Sequence, residues 1–200
     1  MKHVEHLSKD KKMKKLIEVV EPYELTKRKN VFLQLCSSIM SQQLSTKVAE
    51  VIYKRFLALY DGKMPSAQQI LDTPATVLRG IGLSNAKVSY VHNVARFEID
   101  KGMDTTKLNK MTNEEVVEYL TQIKGVGKWT VEMILMFTLG REDVFAVDDL
   151  GIQQSMIKLY RLKHEDKKEL RQAMLKISGR WAPYRTYACM YLWRWKDGKK

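Results

Sequence analysis

A glycine-containing turn and a carboxylate about twenty residues downstream are the residues best suited to chemistry. Gly125 and Gly127 flank the small apolar Val126, which predicts a tight backbone hairpin, with glycine needed at 127 because a β-branched side chain would not fit the turn. A helix beginning directly after the hairpin would point backbone N–H groups outward, which suits one phosphate of a nucleic-acid backbone. Asp149 would then act on the bound strand. The alternative is an ordinary turn between helices, followed by a solvated pair, Asp148 and Asp149.

The charge of the chain indicates an anionic partner. The 200 residues are 44% hydrophobic and 29% charged, which is typical of a globular protein of one ordinary domain or two small lobes. A formal net charge of +12 favours nucleic acid over a membrane surface. Lysines crowd the N-terminus, where a charged run often only solubilises a protein, but Lys and Arg recur throughout the chain.

Cys36 and Cys189 lie in apolar surroundings without the spacing of metal ligands, which predicts reduced, buried thiols. No stretch approaches the roughly eighteen apolar residues of a membrane span, and the first residues do not resemble a signal peptide. We therefore expect an intracellular protein, in the cytoplasm, nucleoid or nucleus, without membrane contact. Residues 1–12 are charged and lack a helix cap, so they are expected to fray or to add only loosely to the first helix.

Almost every periodic segment has helical spacing, which predicts an all-α fold. Four apolar residues from Phe32 to Ile39 follow the pattern i, i+3, i+4, i+7 behind a possible cap, Asn30. Further starts are indicated by capping boxes, N-caps and a first-turn proline, at Ser66 with Gln69, Thr73 with Pro74, Ser84, and Thr112 with Glu115.

Two helices should bury apolar side chains in different ways. One apolar stripe consists of Val48, Val51, Ile52, Phe56 and Leu59. The helix after the hairpin is apolar in nearly all directions over residues 131–139, so it should be buried on every side. A last helix, over about residues 184–195, is rich in aromatic residues.

The hairpin, the helix behind it and the downstream Asp resemble the helix–hairpin–helix DNA glycosylases, most closely the 3-methyladenine DNA glycosylase type. Three further stretches fit this family: residues 39–45, 78–84 and 181–188. The resemblance implies an all-α, two-lobed fold with a central DNA-binding cleft. One lobe would come mainly from about residues 35–145, and the other from about 1–34 with 146–200. Longer members carry an N-terminal β-domain, for which this chain has no room.

The resemblance places the catalytic carboxylate of the family on Asp149, while Asp148 falls where relatives tolerate other residues. An Asp at a helix N-terminus is also favoured in its ionised form by the helix dipole, which suits a carboxylate facing a cationic sugar. Asp149 as a simple N-cap is the alternative.

Trp129 stands where bifunctional relatives carry a nucleophilic lysine. Without an amine at this position no Schiff base with the sugar can form there, and Lys128 would face phosphate instead. The chain therefore resembles the monofunctional members, which remove a base without nicking the strand. By the same resemblance Trp129 and Trp193 are pocket aromatics, which would attract a cationic alkylated purine by roughly 0.5–2 kcal/mol per contact. Trp181 is expected to pack in the core.

The DNA-binding residues implied by the hairpin are Lys124, Gly125, Val126, Gly127, Lys128 and Thr130. A base must be flipped out of the duplex before it is attacked, and the gap must be filled. The resemblance places the side chain that fills this gap, the plug of the family, on Gln43, and Leu44 is the alternative. The turn Gly80-Ile81-Gly82 is either a second phosphate contact or a structural turn.

These inferences predict a glycosylase that hydrolyses the N-glycosidic bond of alkylated purines in duplex DNA. The alternatives are a glycosylase for deaminated or oxidised bases, and a non-catalytic hairpin protein that only binds DNA. The family's four-cysteine iron–sulfur loop is absent, since the chain has two Cys. We expect no metal and no cofactor, and a monomer bound to double-stranded DNA that contains damaged bases.

Overall fold

A computed structural model describes residues 1–21, 24–25 and 30–198, and within these ranges the only regular secondary structure is helical. The all-α prediction is confirmed. The α-helices are α1 (Lys2–Leu7), α2 (Lys11–Ile17), α3 (Val31–Ser41), α4 (Thr46–Ala58), α5 (Ala67–Asp72), α6 (Ala75–Gly80), α7 (Asn85–Lys101), α8 (Thr105–Asn109), α9 (Asn113–Thr121), α10 (Lys128–Phe137), α11 (Leu150–Tyr160), α12 (Lys167–Ser178) and α13 (Arg185–Lys196). A 3-10 turn, Gly179–Trp181, follows α12.

Local side-chain caps explain where several helices begin. The Asn30 side chain accepts a hydrogen bond from the backbone N–H of Leu33 at 2.9 Å, as the sequence predicts. Both capping boxes are present, before α5 and α9. None of the helices in the described ranges combines the length and the hydropathy that a bilayer span requires.

The predicted cap at Thr73 is wrong by one residue. Pro74 is the N-cap of α6, and Thr73 instead ends α5. The Thr73 hydroxyl donates to the carbonyl of Gln69 at 2.7 Å and lies 2.8 Å from the hydroxyl of Tyr60. The Thr73 side chain is therefore bonded to the preceding helix and to Tyr60, and α6 begins without a side-chain cap.

The apolar stripe of α4 is only partly buried. Ile52 and Phe56 are 6% and 0% exposed, but Val48, Val51 and Leu59 are 45%, 42% and 36% exposed. The helix packs on α3, and only the pair four residues apart is buried. A stripe of five apolar residues therefore overstates how much of this helix faces the core. The expectation for α10 holds better, since seven of residues 131–139 are buried and the other two are half-buried.

The expectation that residues 1–12 fray, or add only loosely to the first helix, is wrong. Leu7 and Met13 are fully buried, and the ring of His3 stacks on Tyr187 with centroids 3.8 Å apart. Asp10 caps α2 by accepting from the N–H of Lys12 at 2.9 Å. The sequence therefore contains an aromatic contact residue, His3, and a helix cap, Asp10, in this segment. The many lysines around them suggest a solvated tail instead.

The chain divides into two compact units, one formed by Met1–Lys27 with Leu135–Lys200 and the other by Arg28–Ile134. The boundary between Ile134 and Leu135 falls inside α10, whereas the resemblance places the end of one lobe near residue 145. The lobe boundaries given by the resemblance stay a prediction.

Candidate functional site

Asp149 immediately precedes α11 and is its N-cap. Its Oδ1 accepts a hydrogen bond from the backbone N–H of Ile152 at 2.8 Å. The same oxygen accepts a second bond, also 2.8 Å, from the indole Nε1–H of Trp193 in α13. A carboxylate bonded to the start of one helix and to the side chain of another has a fixed orientation. The N-cap and the family's catalytic position are thus the same residue, and capping does not exclude catalysis.

Gly151 allows the indole to approach the carboxylate. A Cβ built on Gly151 would lie 3.1 Å from Oδ1 of Asp149 and 3.1 Å from Cδ1 of Trp193. Such distances are tighter than ordinary contacts, so a larger residue would press on both groups. Sequence reasoning missed this glycine, although its position two residues after the Asp was a usable signal.

The start of α13 anchors the segment that leads to Asp149. The buried Thr186 hydroxyl donates to the carbonyl of Arg141 at 2.6 Å and accepts from the N–H of Val144 at 3.0 Å. The Arg185 guanidinium binds both carboxylate oxygens of Asp143, at 2.6 and 2.9 Å. One helix therefore holds this segment at its beginning through Arg185 and Thr186 and at Asp149 through Trp193.

Neighbouring side chains reinforce this attachment. The Tyr187 hydroxyl donates to the carboxylate of Glu142 at 2.9 Å. Burial first, and then that carboxylate, raise the pKa of Tyr187 to about 12, because both favour the neutral phenol that donates this bond. Sequence reasoning missed Arg185, Thr186 and Tyr187 as supports, although they lie within the stretch 181–188 that carries the resemblance.

The hairpin requires glycine at 125 rather than at 127. Gly125 has φ +104°, and a Cβ there would lie 2.3 Å from Cγ of Tyr90. Gly127 lies outside the left-handed region, and a Cβ there would meet no atom within 4 Å. The expectation that the turn needs glycine at 127 is therefore wrong. The open space beside Gly127 instead leaves room for a ligand to approach the backbone.

The hairpin backbone is also held by hydrogen bonds. The N–H of Val126 donates to the carbonyl of Ile123 at 3.0 Å, and the Asn93 side chain donates to the carbonyl of Lys124 at 3.1 Å. Val126 is 5% exposed, so its side chain supports the turn by packing. The side chain of Lys124 belongs to an exposed residue and remains suited to phosphate.

The other predicted residues on α10 differ in exposure. Trp129 is 46% exposed, whereas Thr130 is 4% exposed and packs inward. The ammonium of Lys128 lies 3.7 Å from the buried carboxylate of Glu132, so part of its charge is used within the helix. Trp181 is fully buried, as expected of a core residue.

Gln43 and Leu44 lie in the short connection between α3 and α4. Gln43 is exposed and has φ +58°, while Leu44 is half-buried and its N–H donates to the carbonyl of Ser41 at 3.2 Å. These features favour Gln43 as the projecting residue. In the other predicted turn Gly82 has φ +108°, so glycine there has a structural reason, and phosphate contact stays a prediction.

Both cysteines are buried and unbridged, and burial raises the pKa of the Cys36 thiol. Among the residues that the structure describes, no three His, Cys, Asp or Glu side chains are grouped so that they could hold a metal ion.

Solved structures of DNA glycosylases share this fold. The 3-methyladenine DNA glycosylase of Schizosaccharomyces pombe, solved in complex with abasic DNA, is 34% identical, with a TM-score of 0.85 over 97% of this chain and 96% of that chain. A DNA-3-methyladenine glycosidase of Bacillus halodurans is 35% identical, with a TM-score of 0.86 over 98% of this chain and 89% of that chain. An all-helical fold with a glycine hairpin and a capped aspartate thus defines the class as that of helix–hairpin–helix DNA glycosylases.

The chain belongs to the HhH-GPD superfamily of base excision DNA repair proteins, whose family model matches residues 36–180. It is 37% identical over 196 residues to DNA-3-methyladenine glycosylase 1 of S. pombe, a match that covers 94% of this chain and 84% of that protein.

Proposed function

We propose that the protein is a monofunctional DNA glycosylase that releases alkylated purines from duplex DNA in base excision repair. The observation that carries the proposal is the carboxylate of Asp149, fixed by the N–H of Ile152 and the indole of Trp193. A protein that only bound DNA would use the hairpin and the positive charge, but would have no need for a carboxylate held in this way. The names of the most similar relatives support alkylated bases as the substrate class.

The leaving group explains why a single carboxylate suffices. Alkylation at N3 or N7 makes the purine cationic, so the base departs with the bonding electrons and needs little acid assistance. Positive charge then develops on the sugar, which becomes an oxocarbenium-like species. Asp149 stabilises this charge electrostatically and orients a water molecule. The water adds to C1′ and loses a proton, which leaves an abasic site and the neutral base.

Trp193 and Trp129 have different roles in this mechanism. Trp193 is a positioning residue, because its Nε1–H holds Oδ1 of Asp149. Its ring also lies 6.0 Å from that of Phe137, at an interplanar angle of 38°. Trp129 is 46% exposed, and its indole ring would attract a cationic purine more strongly than a neutral one.

DNA is the partner. The residues that would bind its backbone and flip the nucleotide all belong to the unit Arg28–Ile134. The backbone at Gly127 and the ammonium groups of Lys124 and Lys128 would bind phosphates. Gln43 would fill the gap left by the flipped nucleotide. We propose that the protein acts as a monomer on damaged bases.

The experiment that tests the function measures base release by chromatography. Methylated, oxidised and deaminated duplexes are each incubated with the wild-type protein and with Asp149→Asn. We expect 3-methyladenine and 7-methylguanine from methylated DNA with the wild type only. Release from the oxidised or deaminated duplexes alone would assign a different lesion class, and release from none of them would contradict an enzymatic function.

The monofunctional assignment has its own test. Because Trp129 offers no amine, the strand should break only after hot alkali or an added abasic-site nuclease. A covalent adduct trapped by borohydride would show that a lysine forms a Schiff base and would overturn the assignment.

A further inference from the structure

Lys87 binds the end of α3 at the point where the chain turns towards Gln43. Its Nζ donates to the carbonyl of Met40 at 2.9 Å and to the carbonyl of Gln42 at 2.7 Å. The two carbonyls are among those that a helix leaves without partners inside its own last turn. Two of the three N–H donors of the ammonium are thereby used on one short segment.

The position of Lys87 is otherwise unfavourable for a cation. It is the third residue of α7, and its backbone N–H donates to the cap Ser84 at 3.3 Å. The N-terminal end of a helix carries partial positive charge, which repels an ammonium group. Burial adds to this cost, because desolvation lowers the pKa of Lys87. The carbonyls of α3 supply the opposite, negative end of a helix, and they offset both effects.

The bonds of Lys87 fix the backbone on the N-terminal side of Gln43. Gln42 leaves the helical region with φ −51° and ψ 132°, and Gln43 then adopts φ +58°. On the other side, Ser45 caps α4 by accepting from the N–H of Val48 at 3.4 Å. A residue other than glycine in the left-handed region persists only where its surroundings hold it. Lys87 provides this restraint on the helix side.

We propose that Lys87 is a positioning residue for nucleotide flipping, which holds the connection between α3 and α4 so that Gln43 projects ready to enter the DNA stack. The proposal rests on the proposed glycosylase function. A side chain held in place before binding loses less freedom when it inserts, so flipping becomes more favourable. The benefit is confined to lesions that must be extracted from a paired duplex.

The test compares one alkylated base in two settings under single-turnover conditions. In the first duplex the 7-methylguanine is paired with cytosine, and in the second it lies opposite an abasic site, so that less pairing must be broken. Lys87→Met keeps an unbranched side chain that is one atom shorter and removes the N–H donors. We expect it to slow release from the paired duplex by about tenfold and from the unpaired duplex by less than about threefold. The exposed Lys110→Met is the charge-matched control and should change neither rate.

A double-mutant cycle shows whether Lys87 acts through Gln43. Gln43→Gly removes the plug side chain without backbone strain, because glycine accepts φ +58°. If Lys87 acts only by placing Gln43, Lys87→Met should slow release little further in the Gln43→Gly background. Lys87→Arg, which retains a cation with several donors, should recover part of the selective loss. Fluorescence of 2-aminopurine beside the lesion should report less flipping for Lys87→Met and Gln43→Gly.

The possible outcomes distinguish a role of Lys87 in flipping from a merely structural role, and they distinguish failure of this role from failure of the proposed glycosylase function. Equal slowing on both duplexes, or additive losses in the cycle, would overturn the role of Lys87. No base release by the wild type would instead contradict the glycosylase function. If Lys87→Met does not fold, Lys87→Gln, which removes the charge but keeps one amide donor group, provides the same comparison, with a smaller selective loss expected.

Discussion

The hairpin at Gly125 is held by nearby backbone and one neighbouring helix, whereas Asp149 is held both by the N–H of Ile152 in its own helix and by the distant side chain of Trp193 in α13. Tyr90 and Asn93 of α7 contact the hairpin backbone. Trp193, by contrast, reaches Asp149 across 44 positions of sequence. The hairpin therefore has room for a side chain at position 127 but not at position 125, where a Cβ would overlap Tyr90. The orientation of Asp149 depends in addition on a single donor atom of a distant side chain, Nε1 of Trp193.

The largest effect is expected from the carboxylate itself. Asp149→Asn keeps the shape of the side chain and removes its charge, so base release should fall at least about a hundredfold. Binding to abasic-site DNA should stay within a few-fold of wild type. Asp148→Asn is the matched control, since this exposed neighbour pairs with Arg171 at the surface. If the loss follows Asp148 instead, the catalytic assignment is wrong by one residue.

The two glycines of the hairpin should separate folding from binding. Gly125→Ala forces a Cβ into Tyr90 at φ +104°, and it should lower the free energy of unfolding by about 2–5 kcal/mol. Gly127→Ala should change that free energy by less than about 0.5 kcal/mol and yet weaken DNA binding, because its Cβ would occupy space open to the ligand. Thermal melting and DNA titration measure the two effects. A reversed pattern would show that the hairpin does not bind DNA through Gly127.

Trp193→Phe removes a single donor and keeps an aromatic ring. We expect the rate of release to fall about tenfold, because a hydrogen bond to a charged group is lost. Affinity for abasic DNA should remain near wild type, because the positive charge and the hairpin that would bind phosphates are unchanged. Trp195→Phe, whose ring lies 5.0 Å from the ammonium of Lys158, is the control on the same helix. Equal losses in both variants would assign Trp193 to packing.

The smallest effect is expected from the loss of single phosphate contacts, measured as a change in the salt dependence of DNA affinity. Each contact releases counterions, so Lys124→Ala should reduce the dependence of log affinity on log salt by about one. Trp129→Ala should leave this slope unchanged and reduce excision. Lys128→Ala should reduce the slope too, but it also removes the cation beside the buried Glu132 and should lower the melting temperature. An unchanged slope in both lysine variants would remove the hairpin as the phosphate anchor.

The difference between the two regions also explains what the sequence could predict. Helix starts at Asn30, Ser66 and Thr112 depend on residues three positions apart, so spacing alone indicated them. The helix beginning after Asp149 is predictable for the same reason, since its cap bonds Ile152. The hairpin is predictable from two glycines around one small apolar residue. The choice between Gly125 and Gly127 was not, because it depends on where Tyr90 lies.

Supports from distant residues carry no local pattern. The bonds from Trp193 to Asp149 and from Thr186 to Arg141 join positions more than forty residues apart. In the sequence Lys87 resembles any other helix lysine, because the carbonyls that it binds belong to residues more than forty positions away. The catalytic assignment of Asp149 itself came from resemblance, since spacing alone also allowed a simple cap.

Because the ring of His3 stacks on Tyr187, we expect the resistance of the first helix to proteolysis to depend on pH. Burial, and then the nearby N-terminal ammonium, lower the pKa of His3 in the folded protein. The folded state thus favours the neutral ring, and this contribution to stability is fully present above the unfolded pKa of about 6.5. It is lost as the pH falls below that value. Limited proteolysis at pH 5 should therefore release the first helix sooner than at pH 7.5, and His3→Phe, which cannot be protonated, should remove the difference.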